Sequence, residues 1–185
     1  MPAACPMPTP RYDTITLAHG GGGTLTEELI RDIFLPAFGA HSPSPHDATP
    51  FALPGQRAAF TTDSYVVQPL FFPGGDIGTL AVNGTVNDLL MAGARPVALT
   101  AGFILEEGLP LETLRRIVAS MQAAAESAGV RIIAGDTKVI NRSSGDGLYI
   151  NTSGVGAIVT ASSLAPEHIR PADRIVLTGD IARHG

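Results

Sequence analysis

The sequence contains one cysteine, no cluster of basic residues and no long apolar run, and each absence excludes a class of protein. Cys5 lies in a proline-rich leader, so we interpret it as an incidental free thiol in a reducing compartment. The 12 Lys and Arg residues are scattered, and nucleic acid is therefore not expected as a partner. No stretch approaches the roughly 18 continuous apolar residues of a membrane span, and the first residues, MPAACPMPTPRYD, lack the regions of a signal peptide. We expect a cytoplasmic protein without a membrane partner.

Transition-metal ligands and the common phosphate and calcium motifs are also missing. Four histidines have no acidic or cysteine partners at ligand-like spacing, which is typical of surface residues rather than a zinc site: His41, His46, His168 and His184. The sequence has neither an EF-hand loop nor the GxxxxGK[ST] pattern of a P-loop. A metal or phosphate site in this chain must therefore use a different pattern.

Segments rich in β-branched and aromatic residues alternate with segments of helical periodicity, which predicts an α+β fold of the layered α/β type. The predicted strands are 58–67, 96–105, 130–139 and 147–159. The predicted helices are 77–94, 109–129, and one that begins at Thr24 with a capping box formed by Thr24 and Glu27.

The pattern along the chain predicts three parts. Residues 1–14 are expected to be a flexible leader, and residues 15–160 to form the main domain, with 40–57 as an exposed Pro- and Ser-rich loop. Residues 161–185 contain a polar entry, a turn near Pro171 and a new strand, RIVLTGD, with nothing after it to pack against. We therefore expect 161–185 to be the opening segment of a truncated second domain.

Four glycines, at 20–23, lead from a short apolar strand into the helix that begins at Thr24. A glycine-rich run at a helix N-terminus presents free N–H groups and the positive end of the helix dipole, which suits a phosphate group. A flexible turn is the alternative, and the run alone does not decide between them.

Three aspartates follow or interrupt apolar runs and are set among Gly and Thr residues: Asp63, Asp88 and Asp136. A buried carboxylate needs a cation or hydrogen-bond donors to offset its desolvation, so a magnesium and nucleotide-phosphate site is the first hypothesis. On a strand, Lys138 would project from the same face as Asp136, either as a structural salt bridge or as a phosphate ligand. Around Asp88, the small residues Gly84, Ala92 and Gly93 would serve equally well for close helix packing, and Asp76 in FFPGGDIG is a weaker metal candidate.

The segments LAHGGGGTLTEELI, FTTDSYVVQPLFFPGGDIGTLAVNGTVNDLLMAGARPVALTAGFILEEGLP, AGDTKVI and GLYINTSGVGAI closely resemble the HypE family of hydrogenase maturation proteins. This resemblance covers nearly the whole chain from Ile15 onward. The family belongs to the superfamily of aminoimidazole ribonucleotide (AIR) synthetase, thiamine monophosphate kinase and selenophosphate synthetase, whose members bind ATP and Mg²⁺ without a P-loop.

The resemblance implies a mixed β-sheet with helices on one face, as in the N-terminal domain of AIR synthetase, and a homodimer formed by pairing the sheets of two protomers. It also implies that Mg-ATP lies near the dimer interface. By motif match, the metal ligands are Asp63, Asp88 and Asp136, with Asp76 as the weaker candidate. The nucleotide would contact a larger set: His19, Gly20, Gly21, Gly22, Gly23, Asp63, Asn87, Asp88, Asp136 and Lys138.

The implied activity is ATP-dependent dehydration of a protein S-carboxamide to a thiocyanate, which supplies cyanide ligands for the iron of [NiFe]-hydrogenases. Asp136 and Lys138 are the implied catalytic residues, and the implied partners are the carbamoyltransferase HypF and the HypC–HypD complex. The family modifies a C-terminal cysteine that this chain lacks, so we expect it to supply the Mg-ATP-binding and dimerisation half. The alternatives are a non-catalytic scaffold module and, less favoured, a sister small-molecule kinase or synthetase.

Overall fold

A four-stranded mixed sheet forms the centre of the molecule in the computed structural model, which describes residues 12–39, 57–161, 164, 168–177 and 179. The strand order is β1-β6-β4-β5; β4 and β5 are parallel, and the other two pairs are antiparallel. The strands are β1 (Ala58–Tyr65), β4 (Ala94–Glu106), β5 (Arg131–Ile140) and β6 (Leu148–Ile158). The predicted mixed sheet is confirmed.

Two long helices cover one face of this sheet. Helix α3 (Ile77–Met91) packs against β1, β6 and β4, and helix α4 (Leu111–Ala128) packs against α3 and β5. We call the other side of the sheet the open face. The remaining elements are a 3₁₀ helix (Leu17–Gly20), α1 (Thr24–Leu29), a π-helical turn (Ile30–Phe34), α2 (Leu35–Phe38), β2 (Phe71–Phe72) and β3 (Gly75–Asp76).

Helix α4 forms where the sequence has its clearest helical periodicity. Its core side chains recur at helical spacing, and Gly129 ends the helix in the left-handed conformation with φ of 65°. The buried residues are Leu114, Ile117, Val118, Met121, Ala124 and Ala125. The helix also supplies the crossover that the parallel pairing of β4 and β5 requires.

Helix α3 is apolar on most sides and depends on glycines for close packing. A Cβ atom at Gly78 would lie 2.5 Å from the Ile117 carbonyl oxygen of α4, and one at Gly84 would overlap the Tyr65 hydroxyl. These contacts confirm the packing alternative for Gly84. The helix ends at Met91, three residues before the predicted end, because the chain turns at Ala92 and at Gly93, where φ is 69°.

Three sequence predictions about local structure are wrong. The short strand expected before the glycine run does not form, since Leu17–Gly20 is a 3₁₀ helix. The N-cap of α1 is Gly23 and not Thr24, which is already helical, so the predicted capping box does not form there. The predicted strand RIVLTGD is absent from its described part, 174–177, where Ile175 is 92% exposed. A strand without a neighbour leaves its backbone groups unpaired, which explains why apolar residues alone do not produce one.

Several sequence-based expectations lie outside the described residues. They concern the leader up to residue 11, the loop 40–56, Cys5, and the histidines His41, His46 and His184.

Candidate functional site

A cavity of about 330 Å³ lies between the glycine run and the edge strand β5. Its lining near the glycine run includes Gly20, Gly22 and Thr26, and β5 contributes Asp136 and Lys138. Its apolar lining includes Ile30, Phe34, Phe38, Ala101, Phe103 and Ile132. We call this space the glycine-run cavity. The fold therefore brings together two motifs, the glycine run and the Asp136–Lys138 pair, that are far apart in sequence.

The glycine run is held in place by a close backbone contact and by one threonine. A Cβ atom at Gly20 would lie 2.9 Å from the Val139 backbone nitrogen of β5, so only glycine permits this approach. The Gly22 N–H group donates to the Thr26 hydroxyl at 3.0 Å, and that hydroxyl donates to the His19 carbonyl oxygen at 2.9 Å. Gly22 has a φ of 78°, which favours glycine. The run is thus an ordered turn fixed to the first turn of α1.

The His19 ring lies behind the run rather than in the cavity lining. Its side chain is buried, with 4% of the residue exposed, and its edge contacts Tyr12. The Thr16 backbone N–H group donates to His19 Nδ1 at 3.0 Å. The buried imidazole ring therefore has a structural role beside the glycine run. Of the predicted phosphate segment, only Gly20 and Gly22 line the cavity, whereas Gly21 and Gly23 are exposed beside it.

Asp136 and Lys138 project from the same face of β5, as predicted. Lys138 Nζ lies 3.2 Å from Asp136 Oδ1, and the side chains are 66% and 70% exposed for the lysine and the aspartate. The register pairs them with Gly102 and Ile104 of β4, on the open face. An ion pair this exposed contributes at most about 1 kcal/mol to folding, so both charges remain available to a ligand.

A second polar region lies where β1 meets α3. Thr61, Asp63 and Tyr65 alternate along β1 and face the helix side, because their register partners on β6 point toward α3. The Thr61 hydroxyl donates to Asp88 Oδ2 at 3.0 Å, and the Ser64 N–H group donates to Asp63 Oδ1 at 2.8 Å. We call the group Thr61, Asp63, Tyr65, Thr85 and Asp88 the β1–α3 seam.

A chain of buried hydroxyl groups fastens this seam. The Tyr65 hydroxyl lies 3.3 Å from Thr85 Oγ1, which lies 2.5 Å from Thr152 Oγ1, and Thr152 donates to the Ala81 carbonyl oxygen at 3.0 Å. Burial raises the pKa of the Tyr65 phenol, and the neighbouring Asp63 carboxylate raises it further. Sequence reasoning missed these hydroxyl residues. The available signal was that Thr85 and Thr152 stand within apolar runs, since a buried hydroxyl group there needs a polar partner.

The three predicted aspartates do not meet within one chain. Asp63 and Asp136 lie on opposite edge strands, and three strand spacings separate them by about 14 Å. Their side chains also face opposite sides of the sheet, since Asp136 is in register with Gly102 and Asp63 with Thr152. In the part of the chain that the structure describes, no group of three or more His, Cys, Asp or Glu residues could hold a metal ion. A single-chain site of three aspartates is therefore excluded among these residues.

Asp76 serves as the N-cap of α3. Its Oδ1 accepts hydrogen bonds from the Thr79 N–H group at 2.9 Å and from the Ser120 hydroxyl at 2.6 Å. At 1.5 Å per residue, it lies about 18 Å along the helix from Asp88. Asn87 is exposed beside Asp88. The structure thus groups the predicted residues into the glycine-run cavity, the β1–α3 seam and a helix cap.

A protein-family model matches more than half of this chain. The family model described as AIR synthase related protein, N-terminal domain, matches residues 45–158. The chain belongs to this AIR synthase related family. It is 50% identical over 176 residues to the carbamoyl dehydratase HypE of Azotobacter vinelandii, covering 95% of this chain and 52% of that protein. The resemblance to HypE expected from the motifs is confirmed.

Solved structures of HypE also match this member of the family. The crystal structure of HypE in complex with ATP has a TM-score of 0.78 and 50% identity, covering 84% of this chain and 46% of that one. A chain of the HypE–HypF complex has a TM-score of 0.57 and 49% identity, covering 76% and 44%. The chain therefore spans about half the length of the relatives it matches. No helix among its described residues is long and apolar enough to cross a membrane.

Proposed function

We propose that this chain is the Mg-ATP-binding and dimerisation half of a HypE-type carbamoyl dehydratase that matures [NiFe]-hydrogenases in the cytoplasm. The observation that carries the proposal is the glycine-run cavity, where an ordered glycine turn lies beside the segment of β5 that carries Asp136 and Lys138. Backbone N–H groups and an ammonium group are suited to phosphate oxygens. The likeness to a HypE crystallised with ATP supports nucleotide as the occupant.

The proposed reaction requires a leaving group more than it requires a protein nucleophile. Transfer of the γ-phosphoryl group of ATP to the oxygen of a protein S-carboxamide, with loss of one N–H proton, would release ADP and give a phosphorylated imidate. Loss of phosphate together with the second N–H proton would then leave the thiocyanate. Such a transfer needs charge neutralisation and in-line positioning. Lys138 would neutralise phosphate oxygens, and the glycine turn would orient the phosphates. The only cysteine in these 185 residues is Cys5, so another part of the whole protein would carry the carboxamide.

The chain has carboxylates suited to Mg²⁺, which prefers a few carboxylates together with waters and phosphate oxygens. Asp136 is among the residues that line the cavity, and Asp63 and Asp88 lie on the seam, where the Thr61 contact uses only Oδ2 of Asp88. When bound, Mg²⁺ would neutralise the charge of the transferring phosphoryl group. We propose Asp136, Asp63 and Asp88 as its ligands and Asn87 as a nucleotide contact. Asp76 caps α3 about 18 Å along the helix from Asp88, so it lies too far away to bind the same ion in this chain.

Because the seam and the cavity are on opposite edges of the sheet, we propose that two copies of the chain complete each site. The open face exposes apolar side chains such as Phe60 and Ile104, which are 74% and 43% exposed, on the same side as Asp136 and Lys138. Pairing of two sheets would cover these residues and form a symmetric dimer. HypF, crystallised with a HypE, and the HypC–HypD complex are the further proposed partners.

Calorimetric titration of the 185-residue chain with ATP, with and without Mg²⁺, tests the proposed nucleotide site. Asp136→Asn should weaken Mg-ATP binding by about tenfold, which equals about 1.4 kcal/mol. The control is Glu126→Gln, an exposed change on α4 that should leave binding unchanged. Unchanged Mg-ATP binding in Asp136→Asn would remove the assignment.

Mixing two inactive variants tests the shared site. If one copy supplies Asp136 and the other Asp63, a mixed dimer of Asp136→Asn and Asp63→Asn chains regains one intact site, whereas neither variant alone binds Mg-ATP well. Recovery of about half the sites in the mixed dimers would support the shared arrangement. A dimer that shows no recovery and no nucleotide binding would favour the non-catalytic scaffold module instead.

A further inference from the structure

The Thr61–Asp88 contact is a direct hydrogen bond between side chains of β1 and α3 that ends on a carboxylate. Its two residues are 27 positions apart in sequence. The Thr61 hydroxyl donates to Asp88 Oδ2 at 3.0 Å, which favours one orientation of the carboxylate. A hydrogen bond of this kind orients a metal-binding carboxylate before the metal ion binds.

The seam also fixes the position of Asp63 relative to Asp88. On one side of Asp63, Thr61 holds Asp88, and on the other side Tyr65 packs against Gly84 and lies 3.3 Å from Thr85 Oγ1. Thus α3 is attached to β1 both before and after Asp63. Loss of either attachment removes one of the side-chain contacts that set the position of α3 relative to Asp63.

We propose that Thr61 is a positioning residue, whose hydroxyl holds Asp88 in line with Asp63 for the Mg²⁺ that accompanies the nucleotide. This inference rests on the proposed Mg-ATP function and extends it to a residue that contacts neither nucleotide nor metal. Loss of an outer hydrogen bond to a metal ligand typically weakens metal affinity by about 10- to 100-fold. The hydroxyl, rather than the bulk of the side chain, supplies the effect.

Three variants separate positioning from packing. Thr61→Val keeps the branched shape and removes the hydroxyl, Thr61→Ser keeps the hydroxyl and removes the methyl group, and Thr113→Val removes a hydroxyl from α4, away from the seam. Each variant chain is titrated calorimetrically with ADP in the presence of Mg²⁺ and again with EDTA. Urea unfolding is followed in parallel.

We expect Thr61→Val to weaken ADP binding about tenfold or more in Mg²⁺, and to bind as the unaltered chain does in EDTA. Thr61→Ser and Thr113→Val should match the unaltered chain in both conditions. Equal binding by Thr61→Val in Mg²⁺, or equal weakening with and without Mg²⁺, would overturn the positioning role. If the unaltered chain itself shows no nucleotide binding, the proposed function fails, and that result is distinct from a failure confined to Thr61.

Discussion

The β1–α3 seam and the glycine-run cavity place polar groups in the fold by different means. On the seam, each side chain belongs to a regular strand or helix, and buried hydroxyl groups join the two elements. At the cavity, the glycine turn is held by one close backbone approach and by Thr26, and the charged pair opposite is exposed. A site on regular elements is coupled to the stability of the core, whereas a site on a surface turn is not.

This difference predicts how substitutions in the two regions will affect stability and nucleotide binding. Substitutions on the seam should lower the free energy of unfolding, because they disturb buried contacts. Substitutions at the cavity should weaken nucleotide binding and have smaller effects on stability than substitutions at the seam. Three variants test this order.

The largest loss of stability is expected for Gly84→Ala, a change on α3 directly beside the seam residue Tyr65. Its new methyl group would overlap the Tyr65 hydroxyl, and overpacking typically costs about 1–3 kcal/mol. Alanine recovers up to about 1 kcal/mol through its better helix propensity. We therefore expect the free energy of unfolding, measured with urea, to fall by about 1–2 kcal/mol.

The loss should become smaller when the obstructing hydroxyl is removed. In a Tyr65→Phe background, Gly84→Ala should cost less, because the overlap with the hydroxyl disappears whereas the ring carbons Cε1 and Cζ still lie 3.1 Å from the new methyl group. An equal loss of stability in both backgrounds would contradict the proposed overlap.

An intermediate effect is expected for Gly20→Ala. The added Cβ would lie 2.9 Å from the Val139 nitrogen, so the turn must move away from β5. We expect a loss of about 1 kcal/mol in stability, and nucleotide binding about tenfold weaker, equal to about 1.4 kcal/mol.

Gly21→Ala is the matched control, because a Cβ there meets only the Ala18 carbonyl oxygen, at 3.6 Å. Calorimetry and urea unfolding should give values close to those of the unaltered chain. If both glycine variants weakened binding equally, flexibility of the run would matter more than the contact with β5.

The smallest change in stability is expected for Lys138→Met. Lys138 and its partner Asp136 are both exposed, so the free energy of unfolding should change by less than about 0.5 kcal/mol. Nucleotide affinity should nevertheless fall by about tenfold. Arg131→Met, at the exposed start of the same strand, should change neither quantity. A large loss of stability in Lys138→Met would show that the ion pair is structural.

Local features of this fold could be predicted from the sequence. Alternation along β5 correctly predicts that Asp136 and Lys138 share a face, and the periodicity of α4 correctly predicts its buried side, because both depend only on backbone geometry. The glycine run was also correctly associated with the start of a helix, although its N-cap is Gly23.

The relative positions of the motifs could not be predicted in this way. Nothing in the residues around Asp63 and Asp136 indicates that β6 and β4 lie between their strands. Similarly, the role of Asp76 as a cap depends on Ser120, which only the packing of α4 on α3 brings within reach. Long-range strand order and helix packing therefore determined the outcomes that the sequence left open.

The contact between Gly20 and Val139 has a consequence for the order of folding. Among the described strands β1 pairs with β6 alone, and β6 follows β5 in the chain, so both the seam and the glycine turn depend on late strands. The glycine turn needs β5, which enters the sheet only after the crossover through α4. Contacts between distant parts of a chain form late because loop closure opposes them. We therefore expect the nucleotide-facing turn to become ordered only once β5 has joined the sheet, so that a nascent chain shorter than β5 offers no phosphate-binding surface.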